Sequence, residues 1–130
     1  MHRTLGCLTL VVGDYDQAIA YYTQRLGFVL LEDTDRGGGK RWVRVAPSAQ
    51  AETALLLARA DGDAQRARVG DQTGGRVGFF LHTDDFARDH AAMLAQGVRF
   101  LESPRVETYG TVAVFEDLYG NRWDLLELKA

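Results

Sequence analysis

The first half of the chain alternates an apolar run with an amphipathic stretch, a pattern that predicts a strand followed by a helix. Cys7 to Val12 is apolar and rich in β-branched residues, which is typical of a strand. Asp14 or Asp16 can cap the next helix by accepting a backbone N–H, and Gly27 can end it in a left-handed conformation. The apolar positions of this helix recur at helical spacing, at Ala18, Ile19, Tyr22 and Leu26.

The second half repeats this order. Asp84 or Asp85 can cap a helix that runs to Ala95, and Gly97 ends it. Three consecutive glycines predict a turn at 37–39, and Gly and Asn predict another at 117–121. The strands predicted in addition to the first are 28–31, 41–46, 53–57, 77–83, 98–101, 111–115 and 122–128.

The two halves form a repeat. Asp14 to Gly27 and Asp84 to Gly97 both span 13 residues, so the halves are offset by 70. Such self-similarity constrains the whole architecture and not only single elements. We therefore expect one domain over 1–130, built from two βαβββ modules. Module one is predicted at about 4–58, a polar, Gly-rich linker at about 59–75, and module two at about 76–128.

Composition narrows the class of protein. The chain has 130 residues, 46% of them apolar, and a net charge of −3. This balance is globular and gives no electrostatic case for binding nucleic acid or an anionic membrane. No apolar run approaches the length of a membrane span, and the single cysteine, Cys7, cannot form an internal disulfide. We expect a soluble, cytoplasmic protein.

Three local motifs resemble the vicinal-oxygen-chelate superfamily, which includes glyoxalases, bleomycin-resistance proteins and extradiol dioxygenases. Asp14 to Tyr22 with Leu26-Gly27-Phe28 resembles the family's first helix and its ending, and Ala95-Gln96-Gly97-Val98 its second helix ending. Glu116 to Asp124 resembles its turn into the last strand, with Leu118 where a proline is usual. The resemblance implies an α+β fold of paired half-barrels around a cleft, completed in a homodimer.

The resemblance also implies where a divalent metal would bind. The family's ligand positions fall on Cys7, on Arg76 or Val77, and on Asp124. Only Asp124 is a good hard-metal ligand; Cys7 suits soft metals, and Arg76 stays protonated and repels a cation. We expect no resident cofactor, with a metal held by Cys7 and Asp124 as the alternative.

Each of these residues could instead have a purely structural role. Cys7 can be a small buried hydrophobe. Arg76 can pair with Asp124 or hold an anionic ligand group. Glu127 has the opposite strand parity to Asp124 and is predicted to be a solvated or interface charge.

Other candidates follow from their strand positions. His82 shares the parity of Arg76 and could act as a general base in the cleft. The loop 104–110, which contains Tyr109, lies where the family often closes over its ligand. The remaining candidates for ligand binding are Thr9, Trp42, Phe80 and Phe115, with core packing as the alternative for the aromatic residues.

Two functions remain open from the sequence. The first is a metal-independent protein that binds a small molecule in the cleft, as bleomycin-resistance proteins do. The second is a metal-dependent lyase, thiol transferase or dioxygenase of the glyoxalase type. A scaffold without a ligand is a weaker third reading. The residues do not identify the ligand.

Overall fold

The computed structural model describes residues 1–130 and has a mixed α+β architecture with two sheets. The chain divides into two compact units, Met1–Val69 and Gly70–Ala130. The elements of the first unit are β1 (Cys7–Val12), α1 (Tyr15–Ala20), a π-helical turn (Tyr21–Arg25), β2 (Val29–Gly37), β3 (Lys40–Ala46), β4 (Ala54–Arg59) and the single-turn α2 (Asp63–Arg66). Those of the second are β5 (Val77–His82), α3 (Phe86–Ala95), β6 (Arg99–Phe100), β7 (Arg105–Glu107), β8 (Gly110–Glu116) and β9 (Arg122–Leu128).

Both sheets are built in the same way, which confirms the predicted α+β class. The first has the order β1-β4-β3-β2, and the second β5-β9-β8-β6, with β7 also paired to β8. In each sheet the first strand of the unit lies parallel to the last, and the other pairs are antiparallel. None of the helices is long and apolar enough to cross a membrane.

The first unit packs α1 on one face of its sheet. Leu10 and Val12 of β1 are fully buried, as is Leu57 of β4, because the strand period of two places them all on this face. Tyr15 at the start of α1 contacts two guanidinium groups, those of Arg41 and Arg59, which lie 5.1 and 5.3 Å from its ring centroid. These contacts fix the helix against β3 and β4.

The second unit packs α3 on its sheet through aromatic rings. His90 of α3 lies 4.5 Å from Phe100, which contacts Phe115, which in turn stacks on Trp123. Phe115 and Trp123 are partners on β8 and β9, so they share one face of the sheet. Glu127, on that same face, accepts a hydrogen bond from the backbone N–H of Phe86. Glu127, predicted to be a solvated or interface charge on the face opposite Asp124, does lie on that face, is partly exposed and also satisfies the N-terminus of α3.

The two main helices differ by one residue. Asp14 caps α1 and Asp85 caps α3, an offset of 71, whereas Gly27 and Gly97 both take positive φ at an offset of 70. The extra residue is absorbed by the π-helical turn: Phe28 N–H donates to the Tyr22 carbonyl six residues back, whereas Val98 donates to Met93, five residues back. The predicted 13-residue spacing from Asp84 to Gly97 is therefore one residue too long, because the N-cap of α3 is Asp85.

Candidate functional site

The face of the second sheet opposite α3 carries several of the predicted site residues; we call it the site face. Asp124 on β9 is the register partner of Phe80 on β5 and of Val114 on β8. Partners across a ladder point to the same side of the sheet. The Phe80 side chain is 58% exposed. An exposed ring thus lies beside a carboxylate in one row across three strands.

Asp124 is only partly exposed, and its Oδ1 atom is buried without a hydrogen-bond partner. Burial raises the pKa of the Asp124 carboxyl above its ordinary value of 3.8. The nearby guanidinium of Arg105 opposes that rise in pKa, and the Glu102 carboxylate adds to it. The carboxylate is therefore an acceptor that the protein itself leaves incompletely satisfied.

Arg105 is held by carboxylates on both sides. Its Nε donates to Glu102 at 2.9 Å and its Nη1 to Glu107 at 2.8 Å. The Tyr109 side chain is also hydrogen-bonded to Arg105. These bonds raise the pKa of the guanidinium, which is held in place by groups of its own unit.

Glu102 ties this network to the sheet. Its Oε2 accepts the backbone N–H of Val114 at 2.9 Å, on the strand next to Asp124. Burial acts to raise the pKa of Glu102, but the bonds from Arg105 and Val114 outweigh it, so the pKa is lowered from 4.5. The segment predicted as a loop over 104–110 contains the strand β7, paired with β8, and this strand positions Arg105 and Glu107 on the site face.

Three predicted residues lie on the first unit's sheet, on the face opposite α1. Thr9, exposed on β1, begins a row that crosses all four strands through Leu56, Arg44 and Glu32. Arg44 and Glu32 form an ion pair at 3.0 Å. Cys7 lies on the same face as Thr9 and is partly exposed, so it is not the fully buried hydrophobe that we considered. Trp42 is 36% exposed, with the Arg36 guanidinium 5.6 Å from its ring.

The remaining predicted residues have diverse positions. His82 is exposed and is the register partner of Leu126, which places it on the site face two residues beyond Phe80. Tyr109 is 47% exposed. Phe115 is fully buried on the α3 face, where it packs against Phe100 and Trp123, so the packing alternative describes it.

Arg76 does not share the parity of His82. The ladder shifts between Val77 and Phe79, so Gly78 is an additional residue and the alternation is reset. Val77 takes the site-face position opposite Arg122, and exposed Arg76 precedes the strand. The cation near Asp124 is Arg105, not Arg76 as the pairing hypothesis proposed.

The donors around the predicted metal ligands do not fit a divalent cation. Cys7 has Ala54 as its register partner, and Asp124 lies between Phe80 and Val114. None of these three neighbours carries a side-chain donor atom for a metal. The structure has no group of three or more His, Cys, Asp or Glu side chains placed to hold a metal ion.

Glu102 is the residue of this network that the sequence reasoning did not select. The signal was present: Glu102, Arg105 and Glu107 alternate in charge over six residues. Acidic and basic side chains three or two positions apart can bond along a turn and a strand. Without the β7–β8 pairing, however, nothing in the sequence connects this segment with Asp124.

Comparison with known proteins identifies the family. A profile of the Glyoxalase/Bleomycin resistance protein/Dioxygenase superfamily matches residues 4–125, and the chain belongs to that superfamily. An uncharacterized protein of Shewanella frigidimarina (strain NCIMB 400) is 50% identical over 98% of this chain and 96% of its own length. The Bacillus subtilis (strain 168) protein YetH is 27% identical over 98% of this chain and all of its own.

Two solved structures resemble the fold closely. UcmS2 has a TM-score of 0.84 and 30% identity, covering 97% of this chain and 98% of that one. TnmS3, described as an antibiotic binding protein from Streptomyces sp. CB03234, has a TM-score of 0.77 and 28% identity, covering 98% of both chains.

Proposed function

We propose that this protein binds a small organic molecule on the site face of its second sheet and releases it unchanged, without a resident metal. The observation that carries this proposal is the pair Phe80 and Asp124. A large ring exposed to water and a buried oxygen without a hydrogen bond both cost free energy in the free protein. A ligand that covers the ring and donates to the exposed part of the carboxylate would offset both costs.

The relatives support binding as the activity. TnmS3 is described as an antibiotic binding protein, and its likeness spans nearly the whole of both chains. Sequestration of a toxic compound requires affinity for the compound itself and no stabilisation of a transition state. The site face supplies an aromatic surface and a polar anchor, which suffice for such binding.

One observation favours an enzyme as the second candidate function. The raised pKa of Asp124 is a property that proton-transfer groups often share. In that case Asp124, or His82 on the same face, would act as the base toward a bound substrate. A hydrolase of the catalytic-triad type is not favoured, because no serine or cysteine lies within the register rows of the site face.

Calorimetry with a panel of aromatic antibiotics, followed by mass spectrometry of the recovered compounds, tests the proposal. We expect saturable binding and intact compound. Elemental analysis after refolding with zinc, manganese, iron and nickel should give a stoichiometry near zero. Light scattering on the same sample tests the homodimer that the family resemblance implies.

Conversion of a bound compound would favour the enzyme over simple binding. Stoichiometric metal in the wild type, lost in Asp124→Ala, would overturn a metal-free site. A panel that shows no binding at all would count against the proposed function itself.

A further inference from the structure

We propose, as a refinement that rests on the proposed function, that the ligand is a flat ring system carrying a protonated nitrogen, with the ring against Phe80 and the nitrogen on the Asp124 carboxylate. The two side chains are register partners on adjacent parallel strands. Neighbouring strands lie about 5 Å apart, so one rigid molecule of two or three fused rings can reach both groups.

The charges of the site face favour a cation over an anion. Glu102, Glu107 and Asp124 are three carboxylates, and the guanidinium of Arg105 is already bonded to two of them. In the next row Glu116 is the register partner of both Arg99 and exposed Arg122, and it forms its ion pair with Arg99 at 3.3 Å. With Glu102, the face therefore carries four carboxylates and three guanidinium groups, a small excess of negative charge that favours a cation.

Two other properties support this choice. The Oδ1 atom of Asp124 is buried and lacks a donor, so a charged N–H of the ligand on the exposed part of the carboxylate would offset that deficit. The exposed Phe80 ring can also attract a cation through its π face, which adds to the preference for a positively charged ring. Neither property would favour a carboxylate or a phosphate.

The test compares two three-ring probes of similar size, the cation 9-aminoacridine and the anion anthracene-9-carboxylate, by fluorescence titration at neutral pH. We expect the cation to bind about tenfold more tightly or better, as a charged hydrogen bond implies. Asp124→Asn should remove that preference, and Asp124→Glu should keep much of it. Phe80→Ala should weaken both probes.

Two matched control variants test whether the probes bind through overall charge or through non-specific apolar contact. Asp61→Asn removes an exposed carboxylate of the first unit, and Val106→Ala removes a 79% exposed apolar side chain from the other face of the second sheet. Both should bind the probes as the wild type does. Thermal unfolding of each variant confirms that it is folded.

Each contrary outcome has a distinct meaning. Equal binding of both probes, unchanged in Asp124→Asn, would overturn this inference and leave the proposed function standing. Binding of neither probe to the wild type would overturn both the inference and ring binding on this face. A change of oligomeric mass in Phe80→Ala, with binding unchanged, would assign Phe80 to a contact between copies and also overturn the inference.

Discussion

Phe80 and Asp124 lie side by side on two parallel strands, although 44 positions of sequence separate them. The ring is exposed and the carboxylate is partly buried, so each is in an environment that its chemistry disfavours. Residues at binding sites often carry such a cost in stability, because their best partner is the ligand.

Asp124→Asn should stabilise the free protein at neutral pH. The folded state raises the pKa of this carboxyl above 3.8, so the wild type loses stability as pH rises through that raised pKa. The amide has no charge to desolvate, and the gain should be about 0.5 kcal/mol or less because of solvent screening. Melting temperatures at pH 4 and pH 7.5 test this: the variant's advantage should shrink at the lower pH. An advantage that grows on acidification would contradict the assignment.

Glu102→Gln should destabilise the protein at neutral pH, the opposite of the effect expected for Asp124→Asn. The lowered pKa of Glu102 means that its charge stabilises the fold above the unfolded value of 4.5, and that this contribution is lost as pH falls through the folded value. We expect a loss of about 1 kcal/mol at pH 7, because the bond to Arg105 weakens. Urea unfolding at pH 7 and pH 3.5 measures it. If the loss of unfolding free energy were the same at both pH values, the packing of the Glu102 side chain, and not its charge, would stabilise the fold.

Gly110→Ala should be strongly destabilising. A Cβ at this position would lie 2.1 Å from the Glu127 carbonyl oxygen, a backbone atom that can move only if β8 and β9 separate. We expect a loss of roughly 2 kcal/mol or more in chemical denaturation. Gly6→Ala is the control, because its Cβ would meet no atom within 4 Å. Equal stability of the two variants would contradict the close approach of the two strands at Gly110.

Asp85→Ala should weaken α3, whereas Asp84→Ala should not. Asp85 accepts the backbone N–H of Arg88 as the N-cap, and its loss should cost about 1 kcal/mol. Asp84 forms only an exposed ion pair with Arg88, which is worth at most about 0.5 kcal/mol. Thermal unfolding of the two variants decides which aspartate begins the helix. If Asp84→Ala were the more destabilising variant, Asp84 would be the N-cap of α3. The one-residue difference in length between the two helices would then disappear.

Much of the fold could be predicted because it follows from local patterns. The strand over 122–128 and the end of α3 at Ala95 were predicted at their observed positions, and both helix-ending glycines were identified. Apolar periodicity and positive-φ glycines depend on near neighbours in the chain, so the sequence reveals them directly.

The rest depends on pairing between distant segments. The bulge at Gly78 resets the alternation that, counted along the sequence, aligned Arg76 with His82, and only the register with β9 shows this. Likewise β7 is three residues long and exists because it pairs with β8, so its own sequence resembled a loop. The Glu102–Arg105 network near Asp124 was missed for the same reason.

The π-helical turn at Tyr21–Arg25 is what an insertion of one residue into a regular helix would produce. The turn accommodates one residue more than the matching stretch of α3, and Tyr22 and Phe28 are buried as Met93 and Val98 are in the other unit. Relatives that lack this residue should therefore carry an uninterrupted first helix, and an alignment of the two halves needs a gap there to be in frame on both sides.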